Sequence, residues 1–213
     1  MIKVHGVHGS PFVRKVFVAL DYKGIPYEIV PQMPFSGSEE YLKINPLGKI
    51  PTLVDGDLTL GDSKVICQYL EEAYPEPALY PKDIQQKAMA HWYEDLCGGI
   101  VSELAAGIFF QRFARPKILK QEPDEELVAI IIEKKLPPLL DYLEGQVPED
   151  GFLFGEFSMA DLCLVSPFIN AGYADYEVDA ANWPKFAGLI ARVKAQPHVK
   201  AVLDREAKNL GLA

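Results

Sequence analysis

The sequence predicts a chain in two parts: a small α/β layer with a mixed sheet, followed by an all-α domain. Three observations carry this expectation. Residues 1–75 mix period-two and helical apolar spacing. The proline-rich stretch Tyr74-Pro75-Glu76-Pro77-Ala78-Leu79-Tyr80-Pro81 then interrupts any helix. Beyond it only helical spacing recurs. The expected division is therefore 1–75 for the first domain, 76–82 for a linker and 83–213 for the second domain.

Each element follows from local chemistry. Ile2 to Val7 alternates apolar and polar residues, as a half-buried strand does. Ser10-Pro11 opens a helix, because Ser caps an N-terminus well and Pro suits the first helical position. Val13, Val16, Phe17 and Leu20 form its apolar stripe, and Gly24-Ile25-Pro26 ends it before a second strand at Tyr27 to Val30. Strand, helix and strand make a βαβ unit, which implies a parallel pair with a right-handed crossover. A short helical stretch is expected around Glu39 to Ile44. Pro51 to Val54 and Leu58 to Leu60 flank Asp55-Gly56-Asp57, a hairpin signal. Ser63 then starts a helix carrying Val65, Ile66, Tyr69, Leu70 and Ala73. In the second domain, helical patterns run from Asp83 to about Arg115, weakened at Gly98-Gly99, and from Pro123 to Gly145, broken at Pro137-Pro138. Others run from Ser158 to Ala174, bent at Pro167, from Trp183 to Ala195 and from His198 to Asn209.

Composition narrows the function. The 213 residues include 21 Lys+Arg and 30 Asp+Glu, a net charge of -9, which argues against a nucleic-acid partner because phosphate neutralisation needs clustered cations. No apolar run approaches the ~18 residues of a bilayer span, and the N-terminus lacks a signal-peptide pattern, so no membrane partner is expected. Cys67, Cys97 and Cys163 are dispersed and odd in number, which fits reduced thiols in a cytoplasm and no metal knuckle. Cys67 and Cys163 fall in apolar helical patterns as core residues, while Cys97 beside Gly98-Gly99 reads either way.

Three segments of the first domain can carry chemistry. Ser10 stands at a helix N-terminus, where unpaired N–H groups and the helix dipole favour an anion or thiolate. It reads either as a plain N-cap or as a hydroxyl that donates to that anion. Lys49-Ile50-Pro51 precedes a strand; a cis bond at Pro51 would turn the Ile50 backbone outward, where it can pair with an extended peptide. Gly61-Asp62-Ser63 opens the third helix and sets a carboxylate and a hydroxyl beside unpaired N–H groups, partners for an ammonium and a carboxylate. In the second domain Phe109, Phe110, Arg112 and Phe113 set aromatics beside a cation and read equally as core and surface positions. His8 and His91 have no expected carboxylate partner and read as structural.

The order of these segments resembles the cytosolic glutathione transferase family. The resemblance rests on strand-Ser10-Pro11-helix, Asn45-Pro46-Leu47-Gly48-Lys49-Ile50-Pro51, Leu60-Gly61-Asp62-Ser63 and the proline-rich linker. It extends to the S-x-x-D capping box Ser158-Met159-Ala160-Asp161 and to Trp183-Pro184 before an apolar helix. Ser10-Pro11-Phe12-Val13 is similar to the segment of the plant tau class, a serine-type class. The resemblance implies a thioredoxin-like N-terminal domain that binds glutathione as co-substrate, and a helical domain that supplies the electrophile site. It implies Ser10 as the catalytic residue and Phe12, Lys49, Ile50, Pro51, Asp62 and Ser63 as glutathione-binding, with Ile50 pairing to the cysteinyl part and Asp62 and Ser63 holding the γ-glutamyl group. Phe109, Arg112 and Phe113 would line the electrophile pocket. Two positions depart from the family: Asp62 stands where Glu is commoner, and Pro34-Phe35-Ser36-Gly37 lacks the Lys or His that several classes use for the glycyl carboxylate.

The implied reaction is attack by the glutathione thiolate on a small hydrophobic electrophile, by a detoxifying cytoplasmic homodimer without a metal. A free thiol titrates near about 8.5, and lowering that by about two units takes roughly 2.7 kcal/mol of differential stabilisation. A charge-assisted hydrogen bond from Ser10, worth ~1.5–3 kcal/mol, together with the helix dipole can supply it. The alternatives are a non-catalytic binding or regulatory protein of the same fold, and a glutathione-dependent peroxidase or dehalogenase. Since the ligand is an anion and the chain is acidic, a basic or neutral ligand cleft is expected.

Overall fold

In the computed structural model, which describes residues 1–212, the N-terminal alternation becomes strand β1 (Ile2–Gly6), with Ile2 and Val4 buried and Lys3 exposed. Helix α1 (Pro11–Tyr22) follows with Ser10 as N-cap, and Val13, Val16, Phe17 and Leu20 are fully buried along it. Strand β2 (Tyr27–Pro31) pairs parallel to β1, completing the βαβ unit. Helix α2 (Glu39–Ile44) is capped by Ser38. Strands β3 (Thr52–Asp55) and β4 (Leu58–Gly61) form the antiparallel hairpin, and Gly56 takes the positive φ of 58° that its turn requires. The sheet order is β2-β1-β3-β4, with β1 antiparallel to β3. Helix α3 (Ser63–Ala73) packs against α1 and buries Ile66, Cys67 and Leu70.

The proline-rich stretch is tied down by one buried cation. The Lys23 ammonium, at the C-terminus of α1, donates to the carbonyls of Tyr74 (2.7 Å) and Pro77 (2.9 Å) and pairs with Glu71 at 2.7 Å. Glu71 in turn accepts from the Leu79 amide. A charge taken out of water is tolerated here because every contact is a carboxylate or a carbonyl dipole. The Glu76–Pro77 peptide bond is cis.

Residues from Tyr80 to Ala195 form a second compact unit. Helix α4 (Ile84–Leu96) continues through a π-helical segment (Cys97–Ala106), the short α5 (Gly107–Phe109) and a second π-helical segment (Phe110–Leu119). Gly99 leaves helical geometry (φ -95°, ψ -112°), the weakening expected at Gly98-Gly99. Against the expectation that no apolar run approaches a bilayer span, the helical run Ile84–Leu119 is long and apolar enough by length and composition. Its Val101, Leu104, Ala105, Ile108 and Phe113 are buried, while 39% of its most apolar stretch as a whole is buried. Helix α6 (Glu125–Ile130), a π-helical turn (Ile131–Lys135) and α7 (Leu136–Gln146) follow, and Pro137-Pro138 occupies the first turn of α7, where the bonding pattern changes.

Helix α8 (Met159–Gly172) is buried on every side from Met159 to Ala171 and is the centre of this unit; Pro167 lies within it. Its N-terminus carries the expected capping box: Asp161 accepts from the Ser158 amide (2.9 Å), the Ser158 hydroxyl (2.7 Å) and the Leu153 amide (2.8 Å). Helix α9 (Pro184–Ala195) is capped by Glu144, which accepts from the Lys185 and Phe186 amides. Strand character beyond β4 is confined, among the described residues, to the isolated bridges Phe152–Gly155 and Phe154–Glu156. Helix α10 (Pro197–Leu210) clusters with the first unit, Met1–Leu79, and packs on α1.

Candidate active site

The sheet register brings the three chemistry-bearing segments together. His5 of β1 lies opposite Thr52 of β3, and Thr52 lies opposite Gly61 of β4. The end of β1 that leads to Ser10, the start of β3 after Pro51, and the end of β4 before Asp62 therefore share one end of the sheet. Two helices, α1 and α3, begin there, and both direct N-terminal amides toward it.

Ser10 is half-buried, and its hydroxyl oxygen accepts from the Val13 amide at 3.4 Å. That distance exceeds the 2.7–3.2 Å of a well-formed N–H···O bond, so the cap is a loose one. Accepting also leaves the hydroxyl proton to donate elsewhere. Gly9 takes a φ of 87° and its backbone lies against Leu210, where a Cβ would stand 3.0 Å from the side chain. Phe12 is half-buried on the first turn, 5.4 Å from the Lys15 ammonium.

The Ile50–Pro51 bond is cis. Lys49 is exposed, Ile50 half-buried and Pro51 buried. A network that sequence reasoning missed holds this segment. The Tyr41 hydroxyl and the Asn45 amide both donate to the Lys49 carbonyl, the latter at 3.0 Å, and both lie 2.8 Å from Thr52 Oγ1. Asn45 Oδ1 also accepts from the Leu47 amide. Tyr41, Asn45 and Thr52 are all buried.

Asp62 is exposed and caps α3, accepting from the Lys64 amide at 2.8 Å. Its φ of 70° with ψ of 122° costs an L-residue about 1–3 kcal/mol. Ser63 is buried beside it. The loop from Gln32 to Ser38 is fixed by the Phe35 amide donating to the Gly48 carbonyl, and Phe35 points into solvent.

In the second unit Phe109 stacks on Phe113 with centroids 4.8 Å apart, and Phe109 meets Tyr173 edge-on. Arg112 is bidentate to Glu125, so its charge is compensated locally, and the cation above the Phe113 ring is Lys117 at 4.1 Å. Phe110 is exposed. All three cysteines are buried, and Cys97 is accordingly a core residue. His91 needs a correction: its Nδ1 lies 2.9 Å from Glu94, which also accepts from the Tyr80 hydroxyl at 2.7 Å. The i, i+3 spacing of His91 and Glu94 on a helix was the available signal. Among the described residues His8 Nδ1 is buried without a hydrogen-bond partner. Burial holds both His5 and His8 below the ordinary imidazole value, and Arg205 adds to this at His8 while Glu206 opposes it. Among the described residues no group of three or more metal-ligating side chains converges.

Residues 4–78 match the family model of the glutathione S-transferase N-terminal domain, and residues 109–206 that of its C-terminal domain. The chain is 34% identical to a zeta-class glutathione S-transferase of Euphorbia esula, over 86% of this chain and 81% of that protein. It is 31% identical to a glutathione S-transferase of Triticum aestivum, over 95% and 92%. A crystal structure of a glutathione S-transferase from Rhodospirillum rubrum superposes with a TM-score of 0.83 at 28% identity, covering 95% of this chain and 92% of that one.

Proposed function

The chain belongs to the glutathione S-transferase family and is a glutathione transferase, and from that premise we propose that Ser10 holds the glutathione thiolate for attack on a small hydrophobic electrophile. The observation that carries this reading is the meeting of the three segments at one end of the sheet, with a loosely bonded hydroxyl at the N-terminus of α1. Ser10 donates to the thiolate and the first-turn amides of α1 add their dipole. Ser10 is a stabiliser of the thiolate rather than a nucleophile.

In the same reading the Ile50 backbone, before Pro51, pairs with the cysteinyl part of glutathione, while Asp62 and Ser63 take the ammonium and carboxylate of the γ-glutamyl group. The strained φ of Asp62 supports this, since such a conformation is retained where a carboxylate must be aimed. Lys49 and Phe12 flank the tripeptide, Lys49 being an exposed cation near an anionic ligand. By sequence the glutathione-binding domain is 1–75, the linker 76–82 and the helical domain 83–213, with the last helix, α10, packed on the first unit. Phe109, Arg112 and Phe113 contribute to the electrophile pocket, with a stacked aromatic pair suited to a flat substrate. We assign the enzyme to detoxification in the cytoplasm as a homodimer without a metal. The exposed apolar residues Ile84, Met89, Trp92 and Ile100 support the pairing, since a monomer leaves them in water.

Ser10→Ala tests the reading. With an aryl halide as electrophile, kcat/KM near neutral pH falls about 10- to 100-fold, the equivalent of a lost charge-assisted hydrogen bond. A change of less than about twofold overturns the role of Ser10.

A further inference from the structure

Helix α10 comes from the far end of the chain and lies antiparallel along α1, and its contacts converge on the turn that carries Ser10. The Arg14 amide donates to the Ser10 carbonyl at 3.0 Å, closing the first turn of α1. The Arg14 guanidinium is fully buried and grips the Glu206 carboxylate of α10 with two nitrogens. Nη2 reaches Oε2 at 2.7 Å, and Nε reaches both oxygens at 3.0 and 3.1 Å. On the other side of Ser10, the Gly9 backbone rests on Leu210 of α10. The His8 imidazole, one residue earlier, lies against the Phe17 ring at 5.2 Å and within the fields of Glu206 and Arg205. The opposite end of α1 is fixed as well. Asp21 accepts from Arg205 at 2.5 Å, Tyr27 lies 3.2 Å from the same guanidinium, and Tyr22 meets His198 edge-on.

Stability alone does not account for the Arg14–Glu206 pair. Burying two charges costs several kcal/mol per ion, and a well-packed apolar pair of similar volume holds two helices together as well or better. What the ion pair adds is direction: a bidentate fork accepts one rotation and one register of α10 on α1. That register is read out at Ser10, one helical turn away. We propose that Arg14 and Glu206 are positioning residues for Ser10, the C-terminal helix fixing the first turn of α1 and with it the hydroxyl and amides that face the glutathione thiolate. The proposal rests on the reading that Ser10 holds the thiolate.

The test titrates the thiol of bound glutathione by its ultraviolet thiolate absorbance and follows kcat/KM against pH. Two variants are used: Glu206→Gln, which keeps the shape, and the double variant Arg14→Met/Glu206→Leu, which replaces the pair by apolar side chains. Both are expected to unfold cooperatively, with the bound thiol titrating about one unit higher. Near pH 6.5, kcat/KM for the electrophile at saturating glutathione then falls about fivefold, while near pH 9.5, where the thiol is ionised in either case, it stays within about twofold. A lowered unfolding temperature with an unmoved pH profile means that the pair serves stability alone and overturns the proposal. Ser10→Ala runs alongside. If it leaves the bound thiol unmoved, the Ser10 reading falls and this proposal falls with it; if it moves the thiol and the Arg14 and Glu206 variants do not, only the positioning role is lost. Should neither variant fold, amide exchange on the unaltered enzyme decides. With glutathione at about 100 times its Kd, α10 amides should slow together with the first turn of α1, by up to about 100-fold. Slowing at α1 with α10 unchanged overturns the proposal.

Discussion

Two side chains that touch no proposed ligand atom hold the segment that does. Tyr41 and Asn45 both donate to the Lys49 carbonyl and both meet Thr52 Oγ1, and the side chains of Tyr41, Asn45 and Thr52 are buried. Tyr41→Phe keeps the ring and removes one donor, which should cost about 1 kcal/mol of stability. Asn45→Ala removes the other donor and the acceptor of the Leu47 amide, three hydrogen bonds at once, and should cost about 2 kcal/mol. Because the Lys49 carbonyl precedes the Ile50–Pro51 peptide, both changes should raise KM for glutathione several-fold while kcat stays within about twofold. Steady-state kinetics with varied glutathione checks this; an unchanged KM would show that the network serves folding only. Lys49, Ile50 and Pro51 were legible in the sequence because their residue types and order are local. The network was not, since its members stand 4 to 11 residues apart on a helix, a loop and a strand that only the fold brings together. Arg14 and Glu206, 192 positions apart, carry no sequence signal for each other at all.

Elements were read well where one periodicity dominates. The βαβ unit, the hairpin and α3 appear within a residue or two of their expected ends, and the capping box marks the start of α8. The π-helical segments after α4 were not legible, because a shift from i+4 to i+5 bonding is set by what packs on the helix. Nor does the apolar stripe of α10, with Val199 and Val202, announce that α1 receives it. A helix buried all round, as α8 is, cannot leave its N-terminal donors to water, and this makes Asp161 decisive. Its carboxyl is pushed up by burial and drawn back by the bonds from Leu153 and Ser158. Asp161→Ala leaves the buried Ser158 amide and the half-buried Leu153 amide without this acceptor and should destabilise by about 2–4 kcal/mol. In urea the midpoint should fall with an unchanged slope, because the surface exposed on unfolding is the same. A loss below about 0.5 kcal/mol would mean that other groups or water satisfy these donors.

At the scale of the whole molecule, charge sets the problem that the site solves. Thirty acidic residues against 21 basic ones give a net charge of -9, and glutathione is an anion whose charge grows when its thiol ionises. Attraction therefore has to come from groups in contact with the ligand, and most of those proposed are dipoles: the N-termini of α1 and α3, the Ser10 and Ser63 hydroxyls and the Ile50 backbone. Only Lys49 is an exposed cation among them. The two contributions respond differently to salt. Repulsion by distant carboxylates acts over a Debye length of ~30 Å at 0.01 M salt and is cut to ~8 Å at 0.15 M. Hydrogen bonds at contact distance are barely screened, whereas an exposed ion pair weakens. Glutathione affinity should accordingly rise about two-fold across that range at fixed pH, as measured by calorimetric titration. If affinity instead falls by more than about twofold, Lys49 is the main anchor and the helix N-termini are secondary. Lys49→Gln separates the two contributions. With dipoles dominant, this variant binds within about threefold of the parent at 0.15 M salt, as expected for one exposed charge.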